Sequence, residues 1–431
     1  ASVLIIGVLY MNVRSSHGIE LGGLDLTEEI IFSDILHSSK SYFRLAAIFN
    51  HHMVLQREPD QSVIWGWCRI CDCDIKATLN NEVYAAVVTP LPESHGEDFE
   101  TKWSVSFPPQ EAGGPHSIYL SCATTNEHLQ IKDVYFGDVY TCVGQSNMLF
   151  NVAQTFEGRE KQETFNFPLL RVMSIGRLES DKEELDLSSV ELPWQPASKQ
   201  VIMHAELWTY FSATCWYFGK SLHEELGIPV GLIASAVNGS PLQPWVSADV
   251  MEECGREERS SVECCPTQDS VCWNAMLNPF VQLPIAGVIF YQGESNLYGA
   301  TWYECGFPLF VDSWRTRAQK QVVFLVCELA PMFAPHPYVE EFRLMQAGFA
   351  AHISDLFLIT TIDLGDYGSP YGDLHPRTKE DVGFRGKNIA LKEIYGYDIK
   401  VLGPTMKEYQ VFVQQESIIT IQITYQEESI G

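Results

Sequence analysis

The chain has 431 residues and carries 28 lysine and arginine side chains against 55 aspartates and glutamates, a formal net charge of −27. This excess of acid argues against binding to nucleic acid or to anionic membrane surfaces, because both need a basic protein face. The 46% of hydrophobic and 12% of aromatic residues exclude disorder over most of the chain, and the length favours two or three folded units.

The first 40 residues have no regular pattern, apart from a short helix predicted over residues 26–36. The apolar run 3–11 is consistent with the end of a signal peptide, with a buried strand or with a gene-model artefact. No run of 18 apolar residues occurs in the chain. The sequence therefore predicts no transmembrane helix.

Residues 41–130 have the pattern of an all-β unit. Short alternating runs, such as 62–66 and 102–107, are separated by turn residues such as Pro108-Pro109. We therefore predict a β-sandwich domain over 41–130.

Residues 131–396 change to an alternation of strands and helices. Continuous apolar runs predict buried strands over 134–143, 230–237, 285–291, 322–329 and 356–362. Helical patterns lie between or after them, over 211–226, 303–318, 338–353 and 379–395. Such alternation predicts a doubly wound α/β domain. We interpret 151–200 as an insertion or extended loop, and 397–431 as a partial C-terminal β segment.

The twelve cysteines are too few for a disulfide scaffold. Cys68, Cys71 and Cys73 are closely spaced, but no second ligand cluster follows that would complete a zinc site. We therefore predict no metal, and we favour disulfides formed in an oxidising compartment.

Polar, glycine-bearing loops follow four of the predicted strands. They contain Gly-Gln-Ser-Asn-Met at 144–148, Asn-Gly-Ser-Pro at 238–241, Gln-Gly-Glu-Ser-Asn at 292–296, and an acidic loop ending in Asp-Leu-His-Pro at 373–376. In open α/β sheets, ligands bind beyond the carboxyl ends of the strands. We expect these loops to meet at one active site.

Ser146 and His375 are the predicted reactive pair. A serine at a tight turn between strand and helix exposes its oxygen beside main-chain N–H groups, so Ser146 is a candidate nucleophile. The alternative is a helix-capping serine. His375 is the candidate base because imidazole titrates near neutral pH, with a solvated surface histidine as the alternative.

Three residues are candidates for the oxyanion hole. Gly239 can present its N–H at close range because it has no side chain. Gln292 or Asn296 can donate an amide N–H to a developing oxyanion. The alternatives are a satisfied buried amide for Gln292 and a turn-forming role for Asn296.

Three further polar residues of these loops are predicted to contact substrate: Gln145, Asn147 and Glu294. For Glu294 an alternative stays open, a structural carboxylate that pairs with Arg315 or with a backbone amide.

Together these blocks resemble those of the SGNH hydrolases, specifically the sialate O-acetylesterases. Further matching segments are Met-Val-Leu-Gln-Arg-Glu-Pro at 53–59, Phe-Gly-Asp-Val at 136–139, Cys-Trp-Asn-Ala-Met at 272–276 and Asp-Ser-Trp-Arg at 312–315. The resemblance runs from about residue 42 to the C-terminus. It implies a flavodoxin-like SGNH domain and a serine esterase that removes O-acetyl groups from sialic acids or sialoglycans, chiefly at the glycerol side chain, without a cofactor. We expect such a protein to be lysosomal or secreted.

The third catalytic acid departs from the superfamily pattern. The resemblance places an aspartate three residues before the histidine, where this chain has Gly372. We assign Asp373 as the orienting acid, and Asp366 and Asp363 are the rival candidates.

Sialic acid also carries a carboxylate, which an acidic chain must meet with a fixed cation. Arg343 lies in a segment that looks like the family's Arg-x-x-Gln helix, and arginine suits a planar carboxylate. The alternative is a surface ion pair with Glu340, and Arg377 is a second candidate cation.

Two other functions are compatible with the sequence. One is an acetylesterase for other acetylated polysaccharides. The other is a catalytically inactive carbohydrate-binding homologue, although every block keeps its reactive residue type.

Overall fold

The structure is a computed structural model that describes residue 37 and residues 41–70, 72–91, 99–156, 158, 165–203, 206–255, 265–266, 268–332, 338–403, 406–414 and 418–426. The predicted signal-peptide segment and the predicted helix over 26–36 lie outside these residues. Within them, no helix combines the length and the apolar character needed to cross a bilayer.

The described residues before β9 contain eight strands. They are β1 (Phe43–Leu45), β2 (Val54–Gln56), β3 (Ser62–Cys68), β4 (Ile75–Leu79), β5 (Glu82–Ala85), β6 (Val87–Pro90), β7 (Thr101–Phe107) and β8 (Gly113–Cys122). Strands β1, β3, β7 and β6 form an antiparallel sheet in that order. Alternate side chains of β7, from Trp103, Val105 and Phe107, are buried, as the period of two requires. The packing of these strands as a sandwich stays a prediction.

Strand β9 (Glu127–Gly144) connects this part to the rest of the chain. Its first half pairs antiparallel with β8 and parallel with β2, and its second half pairs parallel with β12 and β13. The strand therefore continues across the predicted boundary at residue 130. It ends at Gly144, directly before the loop that carries Ser146.

The remaining strands and helices alternate along the chain. The strands are β10 (Asn166–Ile175), β11 (Val190–Ser198), β12 (Val230–Ala236), β13 (Gly287–Tyr291), β14 (Val323–Cys327), β15 (Leu356–Ile359), β16 (Met406–Gln414) and β17 (Ile418–Tyr425). The α-helices are α1 (Ser146–Leu149), α2 (Lys199–Ile202), α3 (Ala213–Leu226), α4 (Ala248–Cys254), α5 (Ala300–Ala318), α6 (Val339–His352) and α7 (Lys379–Glu393). Shorter 3-10 and π turns cover Val152–Gln154, Gln243–Trp245, Trp273–Leu277 and Glu294–Gly299.

The large mixed sheet has the order β11-β10-β12-β9-β13-β14-β15, and only β11 along this path is antiparallel to its neighbour. Helices cover both faces. Tyr140 and Cys142 of β9 belong to the buried cluster that includes α3 and α7, whereas Val139 and Val143 belong to the cluster that includes α5 and α6. The alternation of side chains along β9 thus divides the core between two helical layers. The five predicted strands and four predicted helices of this region are confirmed.

The interpretation of 151–200 as an insertion or extended loop is wrong for two segments. Strand β10 adds to the parallel sheet beside β12, and β11 pairs antiparallel with β10. Residues 170–175 are all buried, and all except Arg171 and Ser174 are apolar, which explains why this segment enters the sheet. After α7, β16 and β17 form a separate antiparallel pair.

Candidate active site

Ser146 is the first residue of α1, directly beyond the end of β9. A side chain at Gly144 would place its Cβ 2.0 Å from the carbonyl oxygen of Tyr291, so only glycine lets β9 end this close to β13. The N–H of Gln145 then donates to that same carbonyl at 3.1 Å. The backbone packing therefore fixes the Ser146 loop against the loop that follows β13.

His375 reaches Ser146 from the loop before α7. Its Nε2 lies 2.8 Å from the Ser146 Oγ, and its Nδ1 lies 2.8 Å from the carbonyl oxygen of Tyr371. Because a carbonyl only accepts, Nδ1 must carry the proton in the neutral ring, and Nε2 accepts from the serine hydroxyl. Burial lowers the pKa of His375 below its usual value, against the opposing effect of the Tyr371 carbonyl.

The three candidate acids have different surroundings. Asp363 forms a double hydrogen bond with Arg385, and Asp366 forms one with Arg377; each arginine lowers the pKa of its partner. Asp373 is half-buried and its charge raises the pKa of His375. The Nδ1 partner is nevertheless the Tyr371 carbonyl, a main-chain group that the sequence motif does not reveal.

Gly239 lies in the loop after β12 with a φ of 66°, in the left-handed region. A Cβ there would also lie 2.3 Å from the Sγ of Cys265, so both conformation and space require glycine. In the described part of the chain, no hydrogen bond occupies the main-chain N–H of Gly239 or of Ser146. These are the properties expected of oxyanion donors.

Gln292 follows β13 and is buried. Its Nε2 donates to Asn296 Oδ1 at 2.7 Å and to Gln145 Oε1 and the Ser240 carbonyl at 3.2 and 3.3 Å. Asn296 Oδ1 also accepts from the Leu242 N–H. Because its Nδ2 donates to another glutamine in the 3-10 turn after β12, both ends of the Asn296 amide are occupied. Asn296 therefore orients Gln292, and its own part as an oxyanion donor stays a prediction.

The three predicted substrate contacts are all buried within the protein. Gln145 Oε1 accepts from the main-chain N–H groups of Gly293 and Ser295, at 3.4 and 3.3 Å. Asn147 Nδ2 donates to Glu294 Oε1 at 2.5 Å. Gln145 Oε1 and the Asn147 amide thus join the loops to one another, and contacts of these three residues with substrate stay predictions.

Of the two alternatives for Glu294, the backbone hydrogen bond is present, from its own main-chain N–H, and the pairing with Arg315 is wrong. The Arg315 guanidinium donates to the carbonyl oxygens of Val322, Ser354 and Asp355 instead. Burial raises the pKa of Glu294, against the hydrogen bond from Asn147.

Arg343 lies on α6, where its Nε donates to the Leu329 carbonyl at 2.7 Å. Its Nη2 is buried and has no hydrogen-bond partner among the described residues. The alternative ion pair with Glu340 does not form between these described side chains.

Sequence reasoning missed an aromatic wall beside the imidazole. The Trp208 ring meets the His375 ring edge to face at a centroid distance of 4.8 Å, and Phe150 packs against both Trp208 and Tyr371. Trp208 has a φ of 62°, and its main-chain N–H donates to Gln154 Oε1 at 3.2 Å. The sequence around it, Leu207 before and Thr209 after, matches no motif and gives no signal of this position.

Sequence reasoning also missed Lys379, the first residue of α7. Its Nζ donates to Asn147 Oδ1 at 2.7 Å, although its side chain is 0% exposed. Its sequence neighbours Arg377, Thr378 and Glu380 are polar, and this pattern is typical of a solvated helix end.

The described residues contain no group of three His, Cys, Asp or Glu side chains placed to hold a metal ion. Cys68 and Cys73 are joined in a disulfide. Disulfides also join Cys142 with Cys215 and Cys254 with Cys305. The Cys142–Cys215 bond links β9, just before the Ser146 loop, to α3.

A serine hydroxyl hydrogen-bonded to an imidazole at the carboxyl end of a parallel sheet is a site of the ester-hydrolase class. The sequence model of the family described as carbohydrate esterase, sialic acid-specific acetylesterase, matches residues 136–390. The chain belongs to this family.

Similar proteins agree with the family. The chain is 32% identical over 369 residues to the sialate O-acetylesterase of Homo sapiens, covering 80% of this chain and 69% of the relative. It is 30% identical over 460 residues to the sialate O-acetylesterase of Mus musculus, covering 93% and 82%. The crystal structure of a carbohydrate acetylesterase from Xanthomonas citri superposes with a TM-score of 0.71 at 25% identity, covering 86% of this chain and 79% of the other.

Proposed function

We propose that this carboxylic ester hydrolase removes O-acetyl groups from sialic acids, with Ser146 as the nucleophile and His375 as the general base. The observation that carries the serine mechanism is the 2.8 Å contact between Ser146 Oγ and His375 Nε2. The family and its sialate O-acetylesterase members support the substrate.

The reaction is an acyl transfer in two steps. His375 takes the Ser146 proton as the oxygen attacks the acetyl carbonyl, and it returns that proton to the departing sugar alcohol. Water then attacks the acetyl-enzyme while His375 takes one of its protons, and His375 passes that proton to the Ser146 oxygen as the ester bond breaks and acetate leaves. Both steps pass through a tetrahedral intermediate with a negatively charged oxygen.

The N–H groups of Ser146 and Gly239 are the main oxyanion donors in this proposal, and each is worth about 3 kcal/mol. Gln292 is the third donor. Besides the bond to Asn296, its amide nitrogen makes only long contacts, at 3.2 and 3.3 Å, so we assign its second hydrogen to the oxyanion. Asn296 holds the other hydrogen and keeps the amide in place.

The architecture we propose is the SGNH form of the α/β fold, preceded by a β-sandwich over 41–130. It is supported by the order β12-β9-β13-β14-β15, which in chain order reads 2-1-3-4-5, the arrangement of flavodoxin-like sheets. The division into 131–396 and 397–431 belongs to the same proposal. We further propose a lysosomal or secreted location, supported by the disulfides between described residues, which persist in oxidising compartments.

The orienting group for His375 is, in this proposal, the Tyr371 carbonyl, and Asp373 acts on the imidazole at longer range. Replacing Asp373 by asparagine should then lower kcat/KM by about tenfold or less, compared with about 10⁴-fold when an orienting acid bonded to the ring is lost. The acid limb of the pH profile should move to lower pH, because the Asp373 charge raises the pKa of His375. A loss of 10³-fold or more would show that Asp373 is the missing triad acid.

Arg343 is proposed to recognise the sialic acid carboxylate. It forms no ion pair with a described carboxylate, and an acidic chain needs such a cation to hold an anionic substrate. Replacing Arg343 by alanine should raise KM for an acetylated sialoside about tenfold, and leave KM for a neutral aryl acetate within about twofold. Equal changes for the two substrates would remove Arg343 from substrate recognition.

The substrate proposal is tested by acetate release from a panel that contains acetylated sialosides and acetylated xylan. The expected result is a higher kcat/KM on the sialosides. Preference for xylan would favour the polysaccharide acetylesterase, and binding of sialosides without release of acetate would favour the inactive carbohydrate-binding homologue.

A further inference from the structure

The ammonium group of Lys379 is enclosed beside the proposed reactive pair. Its Nζ donates to Asn147 Oδ1 at 2.7 Å and to the Pro376 carbonyl at 2.8 Å, and it lies over the rings of Phe150 and Tyr291 at 5.0 and 5.2 Å. A buried ammonium is retained only where such partners replace water. The surroundings of Lys379 therefore stabilise a charged ammonium group.

Lys379 determines which way the Asn147 amide faces. An ammonium only donates, so the Asn147 oxygen must point to Lys379 and the amide nitrogen must point away. That nitrogen donates to Glu294 Oε1 at 2.5 Å and to the Leu374 carbonyl at 2.9 Å. With the amide reversed, N–H would meet ammonium and oxygen would meet two acceptors.

The Asn147 amide joins the two chain segments that carry the reactive residues. Asn147 directly follows Ser146, and Leu374 directly precedes His375. We propose that Lys379 is a positioning residue that, through Asn147, holds the Ser146 and His375 loops in register. The inference rests on the proposed function of that pair.

The titratable groups that act on the pKa of Lys379 come from three other segments: Glu294 after β13, Cys327 in β14 and Asp366 after β15. Burial lowers the pKa of Lys379 to about 7, against the opposing effect of these groups. Glu294 has the largest effect of the three. Its carboxylate and the Lys379 ammonium bond to opposite ends of the same Asn147 amide.

Two charged groups act on His375. The Lys379 charge lowers the pKa of His375, and the Asp373 charge raises it, in addition to the effects of burial and of the Tyr371 carbonyl. Removing the Lys379 charge should therefore raise the pKa of His375, so that the base becomes protonated at a higher pH.

The test replaces Lys379 by methionine and measures acetate release as a function of pH. We expect kcat to fall by about 10²-fold, the cost of small misplacements of reacting groups, with KM within about twofold. We also expect the acid limb of kcat/KM to move to higher pH. A purely structural role would lower the amount of folded enzyme without moving that limb.

Lys379→Gln keeps an N–H donor for Asn147 and removes the charge. It should recover at least tenfold in kcat over Lys379→Met while keeping the displaced acid limb, and it serves as the test by itself if the methionine variant does not fold. The matched control is Lys387→Met on the same helix, where a buried lysine lies 3.8 Å from Glu225 and outside the site. This control should retain wild-type kcat and pH profile.

A folded Lys379→Met variant that keeps wild-type kcat, or one whose acid limb does not move, overturns the inference. Ser146→Ala separates this result from a failure of the proposed function. If acetate release by the wild type does not depend on Ser146, the proposed function fails. If it does depend on Ser146 and the Lys379 variants behave as wild type, only the positioning role fails.

Discussion

Replacing Ser146 by alanine should lower kcat/KM for acetate release from an acetylated sialoside by about 10⁵-fold. The oxygen that forms the acetyl-enzyme is then missing, while the oxyanion donors and the substrate contacts remain. KM should therefore change little compared with kcat. The loss is measured by steady-state kinetics, with enough enzyme to detect residual turnover.

A serine outside the site provides the matched control. Ser221 lies on α3, where its hydroxyl donates to the carbonyl oxygens of Tyr217 and Phe218. Ser221→Ala should keep kcat/KM within about twofold of wild type. If Ser146→Ala retained more than about one per cent of wild-type activity, another group would have to be the nucleophile.

Replacing His375 by glutamine should lower kcat/KM by about 10⁴-fold, because the Ser146 hydroxyl loses its proton acceptor. Glutamine keeps a polar group near Ser146 but cannot take up a proton at neutral pH. His352→Gln is the control, because His352 is exposed on α6 and its Nδ1 lies against the Gly348 carbonyl of the same helix. It should behave as wild type.

The pH profile of the wild type gives a second measure of His375. Only the neutral imidazole can act as the base, and burial lowers the pKa of His375 below its usual value of 6.5. Activity should therefore persist below pH 6.5 and fall only as the pH drops through that lowered pKa. An acid limb of kcat/KM above pH 6.5 would contradict this environment.

The α/β core was predictable because its strands are buried on both faces and read as continuous apolar runs. Strand β10 was harder to predict, since Arg171 interrupts its apolar run and contacts Asp133 and the backbone instead of solvent. The Cys142–Cys215 disulfide joins residues 73 positions apart, and cysteine spacing alone does not give such a pairing.

The site was predictable where the chemistry depends on the type of a side chain in a loop that follows a strand, as for Ser146 after β9 and His375 in the loop between β15 and α7. It was less predictable where the partner is a main-chain group, as for the Tyr371 carbonyl. The direction of a buried amide was not predictable either. The residue type at 147 or 296 is asparagine whether its side chain faces a substrate or another loop. Lys379 was missed because a lysine at a polar helix start normally lies in solvent.

The most direct test of the account is mass spectrometric mapping of the residue labelled by a fluorophosphonate probe in the wild-type protein. The predicted result is a single adduct on Ser146 that appears as acetate release is lost. No adduct should form in Ser146→Ala or at the control position Ser221. An adduct on another residue, or full loss of activity without modification of Ser146, would contradict the account.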